Sequence, residues 1–175
     1  MGSKERGGES PTRSLLDRLG SDAARSVLVA RYFEPLCRWA RLRSSTDCAP
    51  ELIERCVRQG LHQTIDELSL SPSERSAFHW RLREAVQERV RRATPRGATP
   101  SALAASISES ALARYDDALR QMSEADREMV VTRIELGFSR EQMAELLGVP
   151  DKDEIDAATS AALVDLARRL GDDAA

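Results

Sequence analysis

Between Met122 and Leu170 the chain carries an ordered run of helix stop and start signals, and no other stretch limits the possible folds as tightly. Ser123 offers an N-cap oxygen ahead of a first turn that is acidic at Glu124, Asp126 and Glu128. Gly137 stands where that helix must stop, which predicts a helix over 124–136. Ser139 opens a second helix with Gln142 three positions on, the spacing of a capping box, and Met143, Ala144, Leu146 and Leu147 give it an apolar stripe. Gly148, Val149 and Pro150 end it. A longer helix follows from Asp151 to about Leu170, with Ile155, Ala158, Thr159, Ala162, Leu163, Leu166 and Leu170 on one side. Two such helices joined by a short glycine turn make either a DNA-reading helix-turn-helix or an ordinary helical hairpin, and the punctuation alone leaves both open.

Upstream, strong helix formers dominate, aromatic residues make up 4% of the chain, and no long stretch alternates with β-branched residues, so an all-α class is expected. The chain starts with Gly, Ser and charge and lacks a run of about eighteen apolar residues, from which no membrane span and a cytoplasmic location are expected. Cys37, Cys48 and Cys56 include no Cys-x-x-Cys pair, and a ligand set of Cys48, Cys56 and His62 fits no common zinc spacing. There is no glycine-rich phosphate loop or nucleophile elbow, and neither His62 nor His79 lies in a metal motif. No catalytic residue, cofactor or metal is therefore expected, and the chain does not read as an enzyme.

Residues 1–12, rich in Gly and Ser, read as a disordered tail. A short helix from Ser14 should stop at Gly20. Ser21 or Asp22 then caps a long helix whose Ala24, Val27, Leu28, Tyr32, Phe33, Leu36, Cys37, Trp39 and Ala40 form a broad apolar stripe, and Pro35 should kink or split it. Another helix is expected over 47–63, with Leu52, Ile53, Cys56, Val57 and Leu61 apolar. The most basic stretch comes next: Arg75, Arg81, Arg83, Arg89, Arg91, Arg92 and Arg96 against Glu84 and Glu88, led by Phe78, His79 and Trp80. Arginines beside aromatic rings suit a melted nucleic-acid strand, whose phosphates take the charge while its bases stack. The plainer alternative is that the rings anchor a helix whose arginines are solvated, and Phe78 is read that way. Pro95, Gly97 and Pro100 break the pattern within 94–108, a linker joining a helical unit over 13–93 to one over 109–171, with 172–175 as a tail.

The formal net charge of −3 hides an imbalance: residues 1–100 hold 18 Lys and Arg against 13 Asp and Glu, and the remainder hold 8 against 16. On this count the front half is the better polyanion binder.

Three runs then carry a resemblance: Ala118-Leu119-Arg120-Gln121-Met122-Ser123-Glu124-Ala125-Asp126-Arg127-Glu128, Arg133-Ile134-Glu135-Leu136-Gly137-Phe138-Ser139, and Glu141 to Pro150. Together they resemble the C-terminal promoter-binding domain, region 4, of bacterial RNA polymerase sigma factors of the extracytoplasmic-function class. Tyr32-Phe33-Glu34-Pro35-Leu36 is similar to the opening of region 2 of the same family. The resemblance implies two small helical domains on a flexible linker, bound to core polymerase through the beta-prime clamp and the beta flap, with promoter DNA and an anti-sigma factor as further partners. It implies clamp binding through Glu51, Leu52, Ile53 and Glu54. On the −10 side it implies DNA contacts from Trp80, Arg81, Arg83, Arg89, Arg91 and Arg92, and on the −35 side from Ser139, Arg140, Ala157, Ser160, Ala161 and Arg168.

Departures from the family pattern keep a second reading open. Asp151, Asp153, Glu154 and Asp156 crowd the start of the recognition helix, where they suit the helix dipole but repel phosphate. Small groups at Ala157, Ser160 and Ala161 cannot replace bidentate arginine contacts to guanine. Glu54-Arg55 stands where the family has a Gln-Glu pair, and Glu88 stands for an Asn. A degenerate sigma-like protein that binds polymerase or an anti-sigma partner without reading DNA would look the same.

Overall fold

Leu28, Tyr32 and Leu36 recur at four-residue spacing and, with Cys37, are wholly buried, which makes their helix the spine of the structure. A computed structural model of the chain describes residues 12–95, 97–100, 102–147 and 151–172. The spine helix, α2 (Asp22–Arg43), follows a short helix α1 (Thr12–Leu16) and runs unbroken through Pro35. The expected split does not occur: one missing N–H costs less than exposing the stripe on either side of it. The expected tail also ends sooner, because Thr12 belongs to α1 and is 2% exposed; the rest of that segment, 1–11, lies outside the described residues.

Helix α3 (Pro50–Leu70) starts at the proline, whose fixed φ suits a first helical turn, and runs past the expected end because Thr64, Ile65 and Leu68 continue its buried face. A 3-10 turn (Pro72–Ala77) reverses the chain into α4 (Phe78–Ala93), which returns along α3. The two cross at Gly60, where an added Cβ would lie 2.8 Å from Val86 Cγ2.

The segment expected to be a free linker is anchored at two places. The backbone N–H of Thr99 donates to Asp47 Oδ2 at 2.9 Å, and a short helix α5 (Ala102–Ser106) packs on α2. Ser108 caps α6 (Glu109–Gln121) by accepting from the Ala111 N–H.

The helix-turn-helix follows its punctuation closely. Ser123 caps α7 (Glu124–Val130) by accepting the Asp126 N–H, and the helix widens into a π turn (Val131–Glu135) before Gly137 ends it at φ +73°. Only glycine adopts that left-handed backbone readily, and the Phe138 N–H closes the turn onto the Thr132 carbonyl. Ser139 and Gln142 form the reciprocal box that opens α8 (Arg140–Leu147): the Ser139 N–H donates to Gln142 Oε1 and the Gln142 N–H to Ser139 Oγ. Gly148, Val149 and Pro150 lie outside the described residues. In α9 (Lys152–Asp172) Ile155, Ala162 and Leu166 face inward. Leu163, expected on that buried side, is exposed, because the stripe is only wide enough for the 155, 162 and 166 line.

The fold is all-α, with no strand among the described residues, and none of the described helices is long and apolar enough to cross a membrane. Leu28, Tyr32, Leu36, Val57, Leu61 and Leu82 from the front half and Leu119, Val130, Leu136, Met143 and Ile155 from the rear half belong to one buried cluster.

Candidate functional site

Where the halves meet, the seam is built from charge. Arg83 of α4 is completely buried: its Nε lies 2.5 Å from Glu135 Oε2 and its Nη2 2.5 Å from Asp116 Oδ1, while Nη1 donates to Gln87 Oε1. Arg43, in the last turn of α2, places Nη2 2.8 Å from both oxygens of Asp116 and Nη1 3.7 Å from Glu135 Oε1. Two guanidiniums from the front half thus face two carboxylates from the rear half. The Arg83 guanidinium carbon lies 5.5 Å from the Trp39 ring centre and 4.9 Å from that of Trp80, so both rings also favour the cation.

The electrostatics follow from that geometry. Burial alone would push the Asp116 carboxyl up, but Arg83 and Arg43 outweigh it and hold it below the usual carboxylate range. Burial opposes the charge on Arg83 as well, yet Glu135 and Asp116 together raise its affinity for the proton. Burial, with the Glu135 carboxylate close by, pushes the Tyr115 phenol up.

A second contact joins the same two halves. Glu128 of α7 reaches the N-terminus of α4, where its carboxylate accepts the backbone N–H of His79 at 3.0 Å and of Trp80 at 2.7 Å. A helix start leaves such donors without intrahelical partners, and here a side chain from the other half satisfies them. His79 Nδ1 donates to the same carboxylate at 2.6 Å. On the far side of the ring, Nε2 is 2.7 Å from the Tyr32 hydroxyl, which is 2.9 Å from Thr12 Oγ1. Phe138 closes the seam with an edge-on contact to Tyr32 at 5.6 Å, and Arg38 Nη2 donates to the Leu136 carbonyl at 3.1 Å.

The residues expected on the −10 side divide between two surroundings. Trp80 and Arg83 are buried at the seam, so in this arrangement neither presents its side chain to a DNA strand: two carboxylates hold the Arg83 guanidinium, and the Trp80 ring lies against the guanidiniums of Arg83 and Arg127. Arg81 is half-buried. Arg89 bonds Gln63 and Gln59 of α3, whereas Arg91 and Arg92 are exposed at the end of α4, where Arg91 forks onto Glu88 and Arg92 reaches one of its oxygens through Nε. Those two guanidiniums pull the Glu88 carboxyl down to about 2.

On the −35 side, Ala157, Ser160, Ala161 and Arg168 are exposed on α9 along with Asp153 and Val164. Ser139 is spent on capping, Arg140 pairs with Glu141 and Asp156, and Arg168 pairs with Asp165. Of the clamp set, Glu51 is exposed and Leu52 half-buried. Ile53 is 3% exposed and belongs to the core, because it continues the α3 stripe of Cys56 and Val57, which corrects its place on a binding surface. Glu54 pairs with Arg41 at 3.2 Å.

Arg43, Asp116, Glu128 and Glu135 were not among the site residues expected from the sequence. A signal existed for two members of the cluster: Asp116 falls four residues after Leu112 and three before Leu119, and Arg83 lies three from both Trp80 and Val86, so each sits inside an apolar stripe.

No protein-family model matches the chain, and no curated protein matches it. Among solved structures, one described as "Structure of CnrH in complex with the cytosolic domain of CnrY" aligns over 93% of this chain and 98% of that one, at 20% sequence identity and a TM-score of 0.39.

Proposed function

We propose that the chain is a sigma-type transcription factor of the extracytoplasmic-function kind, which binds core RNA polymerase and directs it to promoters. The helix-turn-helix carries this reading: a capping box at Ser139 and Gln142, a glycine turn at Gly137, and a second helix whose Ala157, Ser160 and Ala161 face outward. The units over 13–93 and 109–171 are its polymerase- and promoter-binding parts. Its partners are the beta-prime clamp, the beta flap, promoter DNA and an anti-sigma factor. Glu51 is the exposed member of the clamp set, with Leu52 and Glu54 half-buried beside it, and Arg89, Arg91 and Arg92 are the cations this reading gives to the −10 side. It is a regulator whose chemistry belongs to the polymerase.

The test is transcription by holoenzyme reconstituted from purified core and the full chain. Replacing Arg89, Arg91 and Arg92 by Ala should abolish promoter opening and leave core binding intact. Undiminished opening by that variant would remove the −10 assignment, and failure of the unaltered chain to bind core would remove the whole reading.

One observation favours a second reading, a sigma-like protein that binds polymerase or an anti-sigma partner without reading DNA. Arg140, Lys152 and Arg168 of the helix-turn-helix are all paired with acids of the same region. Footprinting of the holoenzyme separates the two: protection over the upstream promoter element supports the first, and core binding with no upstream protection supports the second.

A further inference from the structure

The front half of this chain carries the excess of basic residues and the rear half the excess of acidic ones, and at the seam the structure sets one against the other. We propose that Asp116, Glu128 and Glu135 form an autoinhibitory latch, in which carboxylates of the rear half occupy the anion-accepting groups of the front half and withhold them from an external polyanion until the halves separate.

The chemistry is one of substitution. A guanidinium fork takes a carboxylate and a phosphate with the same two-point geometry, so Asp116 and Glu135 fill the positions on Arg43 and Arg83 that phosphate oxygens would otherwise take. The N-terminus of α4, a 16-residue helix, is the third such position, and Glu128 fills it through the His79 and Trp80 N–H groups. Trp39 and Trp80, the rings beside Arg83, are covered by the same closure. Ion pairs of this kind add little net stability, since desolvation offsets most of their attraction. They hold the halves in register without making separation prohibitive.

The latch deepens the transcription reading but is tested without polymerase, so each can fail alone. In the full chain, Asp116→Asn with Glu135→Gln should increase the radius of gyration by small-angle scattering. It should also tighten binding of a fluorescein-labelled single-stranded oligonucleotide by about fivefold or more, an ordinary coupling between two sites. Adding Arg83→Ala to that variant should remove the gain. The exposed pair Asp117→Asn with Glu124→Gln makes the same change in net charge and should do neither. The proposal is overturned if the latch variant stays compact, if it expands without binding the oligonucleotide more tightly, or if the exposed pair gives an equal gain. Should the latch variant lose helical circular dichroism, Glu128→Gln, which leaves both buried arginines paired, replaces it under the same criteria.

Discussion

Glu128 holds the start of a helix to which it does not belong, its Oε1 accepting the Trp80 N–H at 2.7 Å. Because the two residues come from opposite halves, the stability of α4 depends on the halves staying together. Glu128→Ala strands two backbone donors in a site that is largely closed to water and should cost about 1–3 kcal/mol. A thermal melt of the variant reads this directly; an unchanged midpoint would show that water replaces the carboxylate without loss.

Arg83 should be the most sensitive charged position in the chain. Replacing it by Met leaves Asp116 and Glu135 facing each other with Arg43 as their remaining cation, a loss of about 3–5 kcal/mol for a broken buried pair. Arg83→Lys should recover little of this, because an ammonium cannot fork to two carboxylates and Gln87 at once. Denaturant titration of both variants gives the comparison.

Acid should loosen the molecule through Asp116. Its carboxyl is held below the ordinary value in the folded chain, so its contribution is complete above the unfolded value of about pH 4 and is lost as pH falls through the lowered folded value. Stability measured between about pH 6 and pH 2.5 should fall in the acid part of that range, and Asp116→Asn should flatten the slope there.

Gly60 opposes Val86 with no room for a methyl group, since an added Cβ would lie 2.8 Å from Val86 Cγ2 and 3.3 Å from the Val86 backbone nitrogen. Alanine gains up to about 1 kcal/mol in helix propensity, but overpacking costs about 1–3 kcal/mol, so Gly60→Ala should be a net loss. Combining it with Val86→Ala should relieve the clash, and the double-mutant cycle should show strong coupling between the two positions.

Much of the helix-turn-helix was legible because its signals are local. Ser123, Ser139 and Gln142 act on backbone groups three residues from themselves, and each makes the bond its spacing announced, while Gly137 takes the left-handed backbone that ends its helix. The extent of α3 was less legible, since its last turns are held by Ile65 and Leu68 packing on distant partners. The seam was the least legible part. An arginine inside an apolar stripe reads as a solvated side chain leaning away from it, and only a carboxylate some fifty residues on, at Glu135, reveals that it points inward. The same long-range pairing explains why a charge imbalance that suggested nucleic acid is consumed in part within the chain.

The π turn at Val131–Glu135 has a consequence for how such a chain can change over evolutionary time. The Leu136 N–H reaches back five residues to Val131, so this turn holds one residue more than an α-helix would. Everything beyond it is rotated by about 100° relative to an uninterrupted helix. Loss of a single codon within this turn would swing Glu135 away from Arg83 while leaving the rest of the sequence spelled as before. One reading-frame-preserving event would thus leave Arg83 with Asp116 as its remaining carboxylate.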